Sequence, residues 1–117
     1  MEIRKFEING KQVEFVNQSR GTRSGFAHDT TVFINGCQRR EATCHYINRT
    51  WERYTYQSVM MQAVWLLEEA EENYLREKFK REKGYNKLTA KRKLEFTEIL
   101  DNNEDIKFYR ALREALR

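Results

Sequence analysis

Residues 56–83, YQSVMMQAVWLLEEAEENYLREKFKREK, constrain the fold of this chain more than any other stretch. Apolar residues recur at Tyr56, Met60, Ala63, Val64, Leu67, Ala70 and Tyr74, the i, i+3/i+4 spacing of one helical face. Val59, Leu66 and Leu75 widen that face, which predicts that the first half of the helix lies on a sheet. No Pro or Gly interrupts the run, Thr55 is the expected N-cap, and Gly84 follows where helices end in a left-handed residue. At 1.5 Å per residue the helix is roughly 42 Å long. A small core needs less, so the distal half is expected to project or to carry other helices.

The chain before it reads as strands. Residues 3–8 and 11–16 flank Asn9-Gly10, and 26–34 and 37–47 flank Asn35-Gly36; Asn-Gly between alternating segments signals a type I′ hairpin. The first turn predicts Phe6 opposite Val13 and an ion pair of Lys5 with Glu14 on the other face. The second predicts His28 opposite Thr43 and Phe26 opposite His45. Gly21-Thr22-Arg23-Ser24-Gly25 breaks the alternation and reads as a flexible loop.

Beyond Gly84, Thr89 caps a second helix through about Leu100, with Ala90, Leu94, Phe96, Ile99 and Leu100 as its apolar members. Asn102 or Asn103 caps a third, with Glu104 and Asp105 in its first turn and Ile106, Tyr109, Leu112 and Leu116 as its buried stripe. The expected fold is α+β: a four-stranded antiparallel β-meander over 1–55, then a long helix and two shorter ones over 56–117. At 117 residues this is a single domain.

Charge limits function. The chain carries 22 Lys/Arg and 18 Asp/Glu, a net +4, and the excess is segregated. Residues 56–75 hold four Glu and no base, whereas 76–93 hold nine bases against two Glu. Favourable i, i+4 pairs, Glu72 with Arg76 and Glu77 with Arg81, account for part of this. The surplus on Lys78, Lys80, Arg81, Lys83, Lys87, Lys91, Arg92 and Lys93 predicts a continuous positive knob, suited to nucleic acid or an acidic partner. A merely solvated face is the alternative. Arg20 and Arg23 around the two glycines of the 21–25 loop form a second anion-binding candidate, against the reading of a solubilising loop. Tyr46, Trp51, Tyr54 and Tyr56, interleaved with Arg49 and Arg53, have the composition of a base-stacking platform and equally of sheet-to-helix packing.

Catalytic and metal chemistry finds little footing. Cys37 and Cys44 have opposite strand parity, which excludes a disulfide between them, and no zinc spacing exists. The predicted register sets both histidines on the face away from Cys44, which denies a thiolate–imidazole pair. It brings His28, His45 and Glu41 onto one face, a possible two-histidine, one-carboxylate set that packed polar residues mimic equally well. No Walker loop, nucleophile elbow, HExxH or dinucleotide fingerprint appears, so no enzyme, metal or cofactor is expected. No apolar run reaches membrane-spanning length and MEIRKFEING has no signal region, so a soluble cytoplasmic protein is expected. Trp65 and Leu66 on the long helix leave room for a homodimer.

The stretch GFAHDTTVFING followed by CHYINRTWERYTYQSVMMQAV resembles small accessory proteins of phages and mobile elements in Gram-positive bacteria, over about residues 16–70. That resemblance implies a setting in which such proteins often inhibit host defence, as anti-CRISPR proteins do by binding an effector nuclease or its guide RNA complex. It carries no catalytic motif. Many such inhibitors are acidic mimics of DNA; a basic chain would instead meet acidic protein patches or guide RNA. Two expectations follow: a non-enzymatic inhibitor of a host defence nuclease, or a basic module binding DNA or RNA through the 76–93 knob and the 20–25 loop.

Overall fold

A computed structural model of the chain describes residues 1–23, 25–48, 55–83 and 89–117; for residues 22, 25, 26, 41–48 and 55 it describes the backbone alone. Strands β1 (Glu2–Ile8), β2 (Lys11–Thr22), β3 (Gly25–Ile34) and β4 (Cys37–Asn48) precede helices α1 (Thr55–Lys83), α2 (Ala90–Asn102) and α3 (Glu104–Leu116). The sheet has the order β1-β2-β3-β4 with every neighbour antiparallel, the expected meander.

Both Asn-Gly turns have the geometry their residues favour. Asn9 and Gly10 have φ of 50° and 80°, Asn35 and Gly36 of 50° and 79°, the paired positive values a type I′ turn requires. The turns lie side by side: Asn35 N–H donates to the Gln12 carbonyl at 2.8 Å, and the Gln12 N–H donates to Asn35 Oδ1 at 2.9 Å. Phe6 stands opposite Val13 and Lys5 opposite Glu14 as expected, although that pair does not close to an ion pair among the described contacts.

Two strand expectations are corrected. Most of the 21–25 stretch belongs to strands rather than to a loop: β2 runs to Thr22 and β3 starts at Gly25, with Gly21 opposite Phe26 and Thr22 opposite Gly25, while Ser24 lies outside the described residues. In the β3–β4 pair, Ile34 faces Cys37 and Val32 faces Arg39, but beyond an irregularity Thr30 faces Cys44 and His28 faces Tyr46. The slip comes from extra β4 residues opposite Thr31. A bulge of this kind leaves no mark in an alternating pattern, because it shifts one strand without changing its composition.

Helices α1 and α3 cover one face of the sheet. Val13, Phe15, Val32 and Ile34 meet Val59, Met60, Ala63, Val64 and Leu67 of α1 and Phe108, Tyr109, Leu112 and Leu116 of α3. Beyond Leu67 the buried stripe of α1 changes direction. Ala70 is exposed and Tyr74 is 57% exposed, while Leu75 and Phe79 pack with Phe96, Leu100 and Ile106 in a second cluster. At roughly 43 Å the helix outlasts the sheet, and its distal half is covered from the side by α2. The molecule is accordingly elongated, 50 × 33 × 23 Å. Leu94 and Ile99, read as apolar members of α2, remain 68% and 40% exposed.

The caps of the short helices match the sequence reading. Thr89 Oγ1 accepts from Arg92 N–H, and Asn103 Oδ1 accepts from Ile106 N–H at 3.0 Å. Helix α1 starts at Thr55 itself, so the expected cap becomes its first residue and the cap position falls outside the described residues. Among the described residues no helix is long and apolar enough to cross a membrane.

Asn103 closes α2 through its backbone N–H to Leu100 and opens α3 through its side chain. Asn103→Ala is expected to lower unfolding free energy by about 1 kcal/mol, and Asn103→Ser to restore most of it, read from urea midpoints.

Candidate nucleic-acid interface

The positive surplus gathers at one end of the molecule because α2 folds back along α1. Phe79 of α1 and Phe96 of α2 lie 5.7 Å apart between ring centres, and the Arg76 guanidinium stands 5.3 Å from the Phe96 ring. This antiparallel pairing brings the last turns of α1, with Lys78, Lys80, Arg81 and Lys83, next to the first turn of α2, with Lys91, Arg92 and Lys93. Lys78, Arg81, Lys83, Lys91 and Lys93 are exposed; Lys80 and Arg92 are half-buried. Two of these cations have an acidic neighbour. Lys80 sits 3.9 Å from Glu77, which therefore does not pair with Arg81 as the spacing suggested, and Arg92 sits 3.5 Å from Glu95. Arg81 thereby keeps its charge for an outside partner.

Helix direction separates the two ends of this tip. At the end of α1 the cations complement the helix dipole. At the start of α2 they oppose it, since the first turn contains no acid and three bases at the positive pole. The two poles meet at the tip and offset each other, so its positive surplus is that of its side chains.

Other predicted positions do not join it. Arg20, exposed on β2, and Arg23, exposed in the β2–β3 turn, lie at the opposite end, since neighbouring Ser19 bonds to Tyr56 at the start of α1. About 40 Å of helix separates Tyr56 from Lys83. Gly21 is a strand residue without positive φ, and Ser24 of the expected phosphate-cradling loop lies outside the described residues. Arg49, Trp51, Arg53, Tyr54 and Lys87 lie outside the described residues, as does the Tyr46 side chain. Of the aromatic platform, Tyr56 is described, and it packs edge-on against His28 at 5.6 Å.

The polar cluster around His28 escaped the sequence reading. Ser19 Oγ hydrogen-bonds both His28 Nδ1, at 2.8 Å, and the Tyr56 hydroxyl, tying β2, β3 and α1 together. Cross-strand pairing of Ser19 with His28 could have been found only from the pairing of Thr22 with Gly25. The corrected β3–β4 register sets His45 opposite Asp29 rather than Phe26, which removes the shared face on which the His28–His45–Glu41 set rested. Among the described residues no group of three His, Cys, Asp or Glu is placed to hold a metal. Cys37 is free and exposed. Cys44 pairs with Thr30 and Cys37 with Ile34, four β3 positions or about 13 Å apart. Separation along the strand, rather than the expected opposite faces, is what keeps these cysteines from bridging.

A second feature lies between α1 and α3. Glu68 is buried and draws two arginines of α3 toward it. Arg113 Nη2 donates to Oε1 at 3.3 Å, while Arg113 Nε stands 2.9 Å from Oε2 without aiming its hydrogen at it, so that closer contact is Coulombic. Arg110 lies 3.5 Å from Oε1 and also binds Asp101 of α2 at 2.9 Å. The Asp101 hydrogen bond above all holds the Arg110 guanidinium protonated more firmly than usual. Beside this network a groove of about 310 Å³ is lined by Trp65, Glu69, Glu72, Asn73 and Arg76.

No family model, curated protein or solved structure matches this chain.

Glu71, next in the acidic band, has its carboxyl pushed above the ordinary value of 4.5, first by burial and then by the Asp105 carboxylate, with Arg39 acting against them. A carboxyl with a raised folded pKa binds more protons folded than unfolded. Its destabilising contribution therefore appears as pH rises from 4.5 through the folded value and is complete at neutrality. Glu71→Gln is expected to raise the urea midpoint near neutral pH and to leave it unchanged below about pH 4.

Proposed function

We propose that this protein acts by binding rather than by catalysis, and that its basic helical tip docks on a nucleic acid. One observation carries the reading: folding brings the end of α1 and the start of α2 into a single positive surface. In the isolated chain, three bases at the positive pole of α2 oppose the dipole by about 0.3–1 kcal/mol each at low salt. A polyanion turns that repulsion into attraction. Each phosphate neutralised also releases condensed counterions, the main source of affinity for such surfaces. The acting site is the cytoplasm of a bacterium, where nucleic acid is at hand.

A second reading keeps the setting that the 16–70 stretch implies: inhibition of a host defence nuclease through contact with the protein or its guide RNA complex. The groove beside the half-exposed Trp65 favours it, since an exposed Trp beside Glu69 on the side away from the sheet suits a protein partner. In that case the tip reads the RNA of the complex and the groove reads the nuclease. The same Trp65 face is where a homodimer would form.

Anisotropy of labelled duplex DNA and structured RNA separates the readings. For nucleic-acid docking, affinity for duplex DNA should fall about five-hundredfold between roughly 50 and 200 mM salt if about five phosphates are engaged. Reversing Lys78, Lys80 and Arg81 to Glu should abolish binding. Weak binding to every nucleic acid, insensitive to salt and to these reversals, would reject it and favour a tight protein partner.

A further inference from the structure

The helix face that α1 lays on the sheet does not stop where the sheet stops. Ala63 and Leu67 are buried on it; the next residues at the same spacing are Ala70, Tyr74, Lys78 and Arg81, all exposed. The second cluster is built from a different face, Leu75 and Phe79, so α2 leaves this one uncovered. The outcome is an aromatic ring, 57% exposed, one turn before Lys78 and two turns before Arg81 on a single helical stripe. Neither cation forms an ion pair among the described contacts: Glu77 is held toward Lys80 at 3.9 Å, and the exposed Glu82 beside Arg81 forms none among those contacts either. Burial gives little reason for a tyrosine here: it is 57% exposed and a member of neither core cluster.

The geometry points to this stripe as a binding track for a single-stranded polynucleotide, with Tyr74 stacking on an unpaired base and Lys78 and Arg81 meeting the phosphates beside it. The inference rests on the nucleic-acid reading of the tip and narrows its target. The charge supplies the class of partner, because a +2 stripe continuous with the tip attracts a phosphate backbone and repels cationic peptides. The ring supplies the strandedness. A duplex hides its base faces inside the stack, and a tyrosine on a convex helix cannot reach them, whereas an unpaired base offers a free face. Successive turns of the stripe rise about 5.4 Å, close to the span of one extended nucleotide, so ring and cations address neighbouring units of one strand.

Labelled oligouridine and oligothymidine of about 12 nucleotides, and a duplex of the same length, would be titrated by anisotropy with the full chain, Tyr74→Ala, Tyr74→Phe and Lys78→Glu/Arg81→Glu. Tyr74→Ala is expected to lose about tenfold on both single strands and under about twofold on duplex, with Tyr74→Phe close to the parent, because stacking uses the ring face. The parental thermal midpoint should survive in Tyr74→Ala, the ring being exposed. Charge reversal should weaken all three probes. If charge reversal abolishes binding while Tyr74→Ala changes nothing, or weakens duplex as much as single strands, the track is overturned and the nucleic-acid reading stands. If the parent binds none of the probes, both fall together.

Discussion

Burial of the first half of α1 against the sheet, closest to β3 and β4, holds everything else in place. Val59, Met60, Ala63, Val64 and Leu67 are almost completely withdrawn from water, as are Val13, Phe15 and Val32 beneath them. At about 1.5–3 kcal/mol per fully buried aliphatic or aromatic side chain, this one contact exceeds any polar interaction in the molecule. Once α1 is set along the strands, its length dictates the rest. The helix overruns the sheet, and the overrun becomes the beam on which α2 is mounted through Phe79, Phe96 and Leu100. The basic tip exists only because that beam extends beyond the sheet.

Polar groups inside this frame act as locators. Glu68 is drawn to Arg110 and Arg113 of α3, and Arg110 reaches on to Asp101 of α2, so one carboxylate coordinates the angular settings of three helices. The arginines remain a third or more exposed, which keeps the net energy of the network small. Its effect is on which face of each helix turns inward. Deeper in the core, Asn17 and Thr30 face each other across β2 and β3, both fully buried, with Asn17 Oδ1 and Thr30 Oγ1 finding no hydrogen-bond partner among the described residues. Asn17 Nδ2 finds the Met60 sulfur at 3.6 Å, a weak acceptor. A polar pair so poorly matched costs stability at the very contact that dominates the fold.

Charge is organised along the same beam. Acids occupy the part of α1 that faces the arginines of α3, and bases occupy the part that faces solvent. The segregation visible along the chain is thus two different things: an internal neutralisation in the middle of α1 and an uncompensated surplus at its end. Composition alone averages them into a modest net charge and conceals the second.

Short-range signals carried much of this architecture into the sequence. Asn9-Gly10 and Asn35-Gly36 require positive φ that few residues tolerate, so both turns and the adjoining registers were legible. Thr89 and Asn103 cap helices because their oxygens reach backbone N–H groups two or three residues on, a purely local event. The buried stripe of α3 and the first half of α1 were equally legible, because one-sided burial imposes a period. What the chain alone could not reveal depended on lengths compared at a distance. The slip after Val32 arises from extra residues in one strand against its neighbour, and it relocated His45 and Cys44 without altering local pattern. Tyr74 has the right spacing to be buried, and only the end of the sheet leaves it bare. The separation of Arg20 and Arg23 from the lysine-rich tip likewise follows from the direction in which α1 crosses the sheet. Periodicity says which residues share a face; only the packed structure decides whether anything lies against it.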